Sequence, residues 1–137
     1  MKEQDKVYSS RSARTGKFLK TGVKVGANYL KHYSKKLVNG EANDEELQER
    51  NAENIYESLS ELKGSALKVA QMLSMDQGLL PQAYTDKFAQ AQYSAPPLSY
   101  PLVVKTFQQT FGKGPQDVFE TFSKKSVAAA SIGQVHQ

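Results

Sequence analysis

The sequence predicts an α+β chain, mostly helical, in which two long helices form an antiparallel hairpin, two shorter helices follow, and the first β-strands of a further lobe close the C-terminal end. Three observations carry this expectation. Apolar residues recur at spacings of three and four from Leu19 to Phe111, caps and breakers punctuate that pattern at Asn39-Gly40, Pro96-Pro97 and Gly112, and the period changes after the turn cluster Gly112-Lys-Gly-Pro115. The 137 residues, 39% hydrophobic and 9% aromatic without tryptophan, suit one modest domain whose helices bury stripes instead of filling a thick interior. No apolar run approaches the roughly 18 residues that cross a bilayer, and no apolar signal core follows the N-terminal charges. With no cysteine, disulfides, thiolate metal sites and cysteine nucleophiles are excluded; no metal site is read from the rest, and the expected compartment is cytoplasmic.

Charge is distributed unevenly. Residues 1–40 hold ten Lys/Arg against two acids, whereas residues 41–137 hold eight against twelve. After a polar lead-in over 1–13, expected to be disordered, a basic helix runs over 14–38. Leu19, Val23, Gly26, Leu30, Tyr33 and Leu37 mark its apolar stripe, while Lys17, Lys20, Lys24, Lys31, Lys35 and Lys36 surround it and no acid interrupts them. Such a helix suits an anionic membrane surface, at about 1 kcal/mol per basic residue near it, the inner face of a membrane included. It also suits simple packing against a neighbouring helix. Nucleic acid is the poorest fit, because the basic arm lacks interleaved aromatic platforms.

Asn39-Gly40 ends that helix with a left-handed cap, and Asn43 starts the next, with Asp44, Glu45 and Glu46 at the positive end of its dipole. Ala52, Ile55, Leu59, Leu62, Ala66, Val69 and Leu73 then repeat at three and four, so one helix of about thirty residues, roughly 45 Å, is the simplest reading. Its first half carries an ordinary solvated face of Glu49, Glu53, Glu57 and Glu61; from Gly64 to Met75 the sole charge is Lys68. At helical spacing Gly64, Lys68, Gln71 and Met75 lie opposite the Ala66/Val69/Leu73 stripe. Two readings stay open for Lys68: it is removed from water and faces an anionic group, a carboxylate or a ligand phosphate, or it snorkels past a thin edge into solvent.

Pro81 opens a short helix with Ala83, Tyr84, Phe88 and Ala91 on one face, and it stops before Pro96-Pro97. Ser99 caps the next, through Val103, Val104, Phe107 and Phe111 to Gly112. Beyond it, Val118-Phe119-Glu-Thr-Phe122 begins helically and then extends, Lys124-Lys125 reads as a turn, and Ser126-Val127 opens an extended run. Ala128-Ala-Ala-Ser-Ile-Gly-Gln-Val135 aligns with the kinase phosphate loop G-x-G-x-x-G-x-V, matching it at Gly133 and Val135 and placing Ala128 and Ala130 at the first two glycines. A short turn between two strands accounts for the same residues.

Leu67-Lys-Val-Ala-Gln-Met-Leu-Ser74, Leu80-Pro81, Ser94-Ala95 and Ala128-Ala-Ala-Ser-Ile-Gly-Gln-Val-His136 together resemble the AarF/UbiB family of atypical protein-kinase-like proteins, associated with quinone biosynthesis. The resemblance covers residues 45–137. In that family a long helix bears a K-x-G-Q motif and an alanine-rich loop replaces the glycine-rich loop; Lys68 and Gln71 match the outer positions of the first, and Ala128, Ala129, Ala130 and Ser131 match the second. The resemblance implies that residues 14–112 are a helical extension folding over the nucleotide cleft with Lys68 and Gln71 as gating residues, and that residues 113–137 begin a kinase-like N-lobe. It implies ATP or ADP with Mg²⁺ as cofactor, held by Ala128, Ala129, Ala130, Ser131, Gly133 and Val135, and an ATPase or small-molecule kinase acting on lipid-like quinone precursors. Alanine in place of glycine implies altered nucleotide preference, since positive φ becomes costlier. Two positions depart from the pattern: Ala70 stands at the motif glycine, and Tyr93 stands where many members have glutamine. No H-R-D or D-F-G run occurs, so the chain is expected to be the N-terminal portion of a longer protein, inactive and only a weak nucleotide binder alone. The alternative function is a basic helix-hairpin module that binds an anionic membrane or a protein partner without nucleotide chemistry.

Overall fold

Residues 3–76, 78–93, 95–130 and 132–137 are described by a computed structural model. Helix α1 (Arg11–Asn39) starts where Ser10, in an extended conformation, turns its hydroxyl back to accept the Ala13 N–H at 3.2 Å. It stops where Gly40, at φ 70°, brings its N–H to the Lys36 carbonyl at 3.1 Å. The helix therefore begins three residues before the expected position 14. The expected disorder over 1–13 is corrected for the described residues as well. The Gln4 N–H donates to the Pro97 carbonyl at 2.8 Å, its carbonyl accepts from the Ser99 N–H at 2.9 Å, and Gln4 is buried. A polar segment becomes ordered here because its main chain finds partners on a neighbouring extended strand.

The expected single helix of thirty residues is two. Helix α2 (Asp44–Leu62) is capped by Asn43, whose side chain accepts from the N–H groups of Glu45 at 2.9 Å and Glu46 at 3.3 Å. It breaks at Lys63, at φ 48° and ψ −167°, and Gly64, at φ 50°, opens helix α3 (Gly64–Met75). Glycine visits that region freely; lysine does so only under strain. Burial also pushes the Lys63 ammonium below the ordinary lysine range. Lys63→Gly is thus expected to raise stability by about 1 kcal/mol, read as a higher urea midpoint at constant slope. A lower midpoint would show that the lysine stem contributes more packing than the backbone costs.

Helix α1 packs on α2 through a polar seam. Lys17 Nζ lies 2.6 Å from a Glu61 carboxylate oxygen, Thr21 bonds Ser58, Asn28 Nδ2 donates to Asn51 Oδ1 at 2.9 Å, and His32 Nε2 lies 2.7 Å from Asp44 Oδ1. The numbers rise along α1 as they fall along α2, so the four pairs lock an antiparallel register. The expected stripe on α1 faces the other way: Leu19, Val23, Leu30, Tyr33 and Leu37 are all exposed, while Thr21 and His32 are the buried residues. Helical spacing located that stripe without deciding which side meets α2. Asn51 is wholly buried, and Asn51→Ala leaves the Asn28 amide without this acceptor. A loss of about 1–3 kcal/mol is expected in chemical denaturation; a loss near zero would mean that the seam exchanges freely with water.

The other side of α2, with Ala52, Tyr56 and Leu59 buried, receives helix α4 (Gln82–Ala89), which also packs on α3. Pro81 occupies the position before the first helical residue, and a 3-10 turn (Gln90–Gln92) follows. Phe88 and Leu67 are the largest fully buried apolar side chains. Across the α2–α4 surface, Lys87 pairs with Glu53 and lies 5.5 Å from the Tyr56 ring centroid.

These helices form one compact unit, Tyr8–Tyr93; Met1–Val7 and Ser94–Gln137 form a second. The second unit contains α5 (Tyr100–Phe111), closed by Gly112 at φ 69° as expected, and the single turn α6 (Pro115–Val118). Phe107 touches the rings of Phe111, Phe119 and Phe122 within it. The strands β1 (Ala128–Ala129) and β2 (Gln134–Val135) pair antiparallel, Ala128 with Val135 and Ala129 with Gln134. The fold is α+β, as the sequence predicts.

Candidate functional site

Two sets of residues carry the expected chemistry, one in each unit. In the first unit, the break at Lys63 re-aims α3, so that Ala66, Leu67, Ala70 and Ser74 are buried while Val69, Met72 and Met75 are exposed. The expected Ala66/Val69/Leu73 stripe is corrected accordingly. So is the removal of Lys68 from water: its side chain is exposed, and no ion pair or hydrogen bond of it occurs among the described residues. The snorkelling alternative describes the isolated chain. Ala70, at the position of the motif glycine, is fully buried.

Gln71, three residues on, turns inward. Its Nε2 donates to the Ala91 carbonyl at 2.6 Å, tying α3 to the 3-10 turn. The Ser74 hydroxyl donates to the Gln71 carbonyl at 2.7 Å and accepts from Gln92 Nε2 at 2.8 Å. Gln71 is therefore tied into the scaffold, and Lys68 is an exposed cation on a helix that carries no other charge. Sequence reasoning missed Ser74 and Gln92; two polar residues beside an otherwise apolar helix were the available signal.

In the second unit Ala128, Ala129, Ala130, Gly133 and Val135 lie on one short hairpin; Ser131 lies outside the described residues, as does Ser94. The Ala130 N–H donates to the Gly133 carbonyl at 2.8 Å, closing the turn, and the Val127 N–H donates to the Val135 carbonyl at 2.9 Å. Ile132 at the tip is 96% exposed, and a Cβ added at Gly133 meets nothing within 4 Å. Alanine side chains stand on the first leg of this turn, and its tip is open to solvent. The Ala130 amide is spent on closing the turn. Lys68 and Gln71 belong to the first unit and the alanine turn to the second.

Among the described residues no three His, Cys, Asp or Glu side chains come together. No helix among the described residues is long and apolar enough to cross a membrane.

Residues 90–137 match the family described as the ABC1 atypical kinase-like domain. The chain is 30% identical to the probable serine/threonine-protein kinase abkA of Dictyostelium discoideum, over 96% of this chain and 25% of that protein. It is 35% identical to the mitochondrial atypical kinase COQ8B of Rattus norvegicus, over 96% of this chain and 26% of that protein. The mitochondrial atypical kinase coq-8 of Caenorhabditis elegans is 38% identical, over 66% of this chain and 12% of that protein. The chain thus spans about a quarter of the length of the first two relatives. No solved structure matches it.

Proposed function

Because the chain belongs to the ABC1 family of atypical kinase-like proteins, the AarF/UbiB type, we propose that it supplies the gating helix and the alanine-rich nucleotide turn of an ATP-dependent atypical kinase or ATPase that supports quinone biosynthesis. One observation carries this reading: Lys68 stands exposed and without a described partner on an otherwise uncharged helix, so a cation is available for an anionic ligand. Ala128, Ala129, Ala130, Ser131, Gly133 and Val135 would hold ATP or ADP; when bound, the nucleotide supplies the phosphoryl group. Gln71 keeps α3 fixed to the 3-10 turn, so that Lys68 projects from a rigid element. The catalytic base and the metal ligands are assigned to parts of the protein beyond these residues, and the acceptor is a lipid-like small molecule. Calorimetric titration of the natural full-length protein with ATP and with ADP tests the reading. Saturable binding is expected; no heat from either up to about 1 mM, the upper end of ordinary substrate affinities, would overturn it.

A specific observation favours a second role, peripheral membrane contact through residues 14–38. Leu19, Val23, Leu30 and Leu37 are exposed on the side of α1 turned from α2, and Lys20, Lys24, Lys31 and Lys35 are exposed on the same helix. An apolar stripe on a helix whose charged residues are all basic matches an anionic lipid surface, the inner face of a membrane being the natural site. Lys17 takes no part, since it pairs with Glu61. Charge reversal at Lys20, Lys24 and Lys31 is expected to weaken co-sedimentation with anionic vesicles at least tenfold, at about 1 kcal/mol per basic residue. Unchanged co-sedimentation would remove the membrane role and leave the nucleotide reading standing.

A further inference from the structure

The alanine-rich turn rests on very little main-chain pairing. Its legs are two residues each, and an isolated two-stranded hairpin is marginal in water. A third segment, residues 95–99, lies alongside, with the Ala95 N–H donating to the Ala129 carbonyl at 3.3 Å. That segment cannot continue the ladder, because Pro96 and Pro97 carry no N–H. The first donor after them, the Leu98 N–H, goes to a side chain instead: Gln134 Oε1 accepts it at 2.6 Å. Gln134 Nε2 in turn lies 3.3 Å from the Leu98 carbonyl and 2.7 Å from His136 Nε2.

These bonds determine one another. The Leu98 N–H can only donate, so the atom facing it is the amide oxygen, and the amide nitrogen must face His136. His136 Nδ1 lies 2.8 Å from the Ser123 carbonyl, which can only accept, so the ring proton sits on Nδ1 and Nε2 is the acceptor for Gln134. The Phe122 ring stacks on the imidazole at 4.6 Å and 18°, holding its plane. Each polar atom of the Gln134 amide is thereby committed, and the turn is bound through one side chain to the diproline segment and to His136.

We propose that Gln134 and His136 are positioning residues that hold the alanine-rich turn at the height from which it covers a nucleotide, by clamping it to the Leu98 main chain where two prolines prevent ordinary strand pairing. The nucleotide part rests on the function proposed above; the clamp itself does not. Two measurements on the natural full-length protein separate them. In Gln134→Leu and in His136→Phe, hydrogen exchange of the peptides covering residues 95–99 and 128–135 is expected to quicken, and KM for ATP to rise about tenfold with kcat within about threefold. Phe107→Leu thins the aromatic cluster formed with Phe111, Phe119 and Phe122 and removes no hydrogen bond, so it is expected to lower the melting midpoint and leave KM within about twofold. Unchanged exchange in Gln134→Leu overturns the clamp. Quickened exchange with an unchanged KM overturns the positioning role. A wild-type protein that binds no nucleotide overturns the functional reading instead, and exchange still decides the clamp.

Discussion

Phe88→Ala is expected to lower the unfolding free energy by about 3–5 kcal/mol, the range for deleting a buried aromatic ring and leaving its cavity. Phe88 is 2% exposed and sits on α4, the short helix that packs against both α2 and α3. Eight residues of helix cannot persist alone, so this ring anchors the element to which Gln71 and Ser74 are joined through the 3-10 turn. The loss should therefore extend beyond stability. Phe88 meets Tyr84 edge to face at 6.1 Å. Burial, with the charge of Tyr29 adding to it, holds the Tyr84 phenol above its ordinary range. Opening the site to water should bring that titration down towards the ordinary tyrosine value, visible as phenolate absorbance at lower pH. A loss below about 1 kcal/mol with unchanged tyrosine titration would show that the helices close over the cavity.

Lys68→Ala is expected to do the reverse: little to stability and much to nucleotide binding. The side chain is exposed and has no described partner, so the melting midpoint should hold, as for surface substitutions, to within about 0.5 kcal/mol. In the natural full-length protein, ATP affinity or ATPase rate is expected to change about tenfold or more, the scale for losing a charge-assisted contact. Leu67, its neighbour, is fully buried, and Leu67→Ala is the control: a large stability loss of about 2–5 kcal/mol with no specific nucleotide effect once the folded fraction is accounted for. If Lys68→Ala leaves both affinity and rate unchanged, Lys68 is a surface lysine and the gating assignment falls.

The local signals were read correctly where chemistry acts at short range. Gly40 and Gly112 take the left-handed caps that their positions demanded, and Asn43 binds two amides of the first turn. The pattern Ala52, Leu59, Leu62 reports the apolar face of α2, and all three are buried. Lys63 escaped because nothing in its own side chain marks a positive φ; Gly64 beside it was the one available sign. The orientation of α1 escaped for a different reason. Periodicity assigned the apolar residues to one side, yet Lys17, Thr21, Asn28 and His32 are ordinary surface residue types until each meets its counterpart on α2.

What the chain's order of residues determined by itself is the set of elements and the motif chemistry: where helices start and stop, where the basic arm lies, and which lysine and which alanines resemble a kinase-like pattern. Only the tertiary structure decided which face each helix turns inward, that Lys68 reaches solvent while Gln71 is held, and that Gln134 bridges two segments thirty-six positions apart. The physical reason is range. Caps and periodicity depend on neighbours within a turn or two of helix, whereas the choice between two usable faces, and the satisfaction of amides that two prolines leave over, depends on groups brought near only by folding.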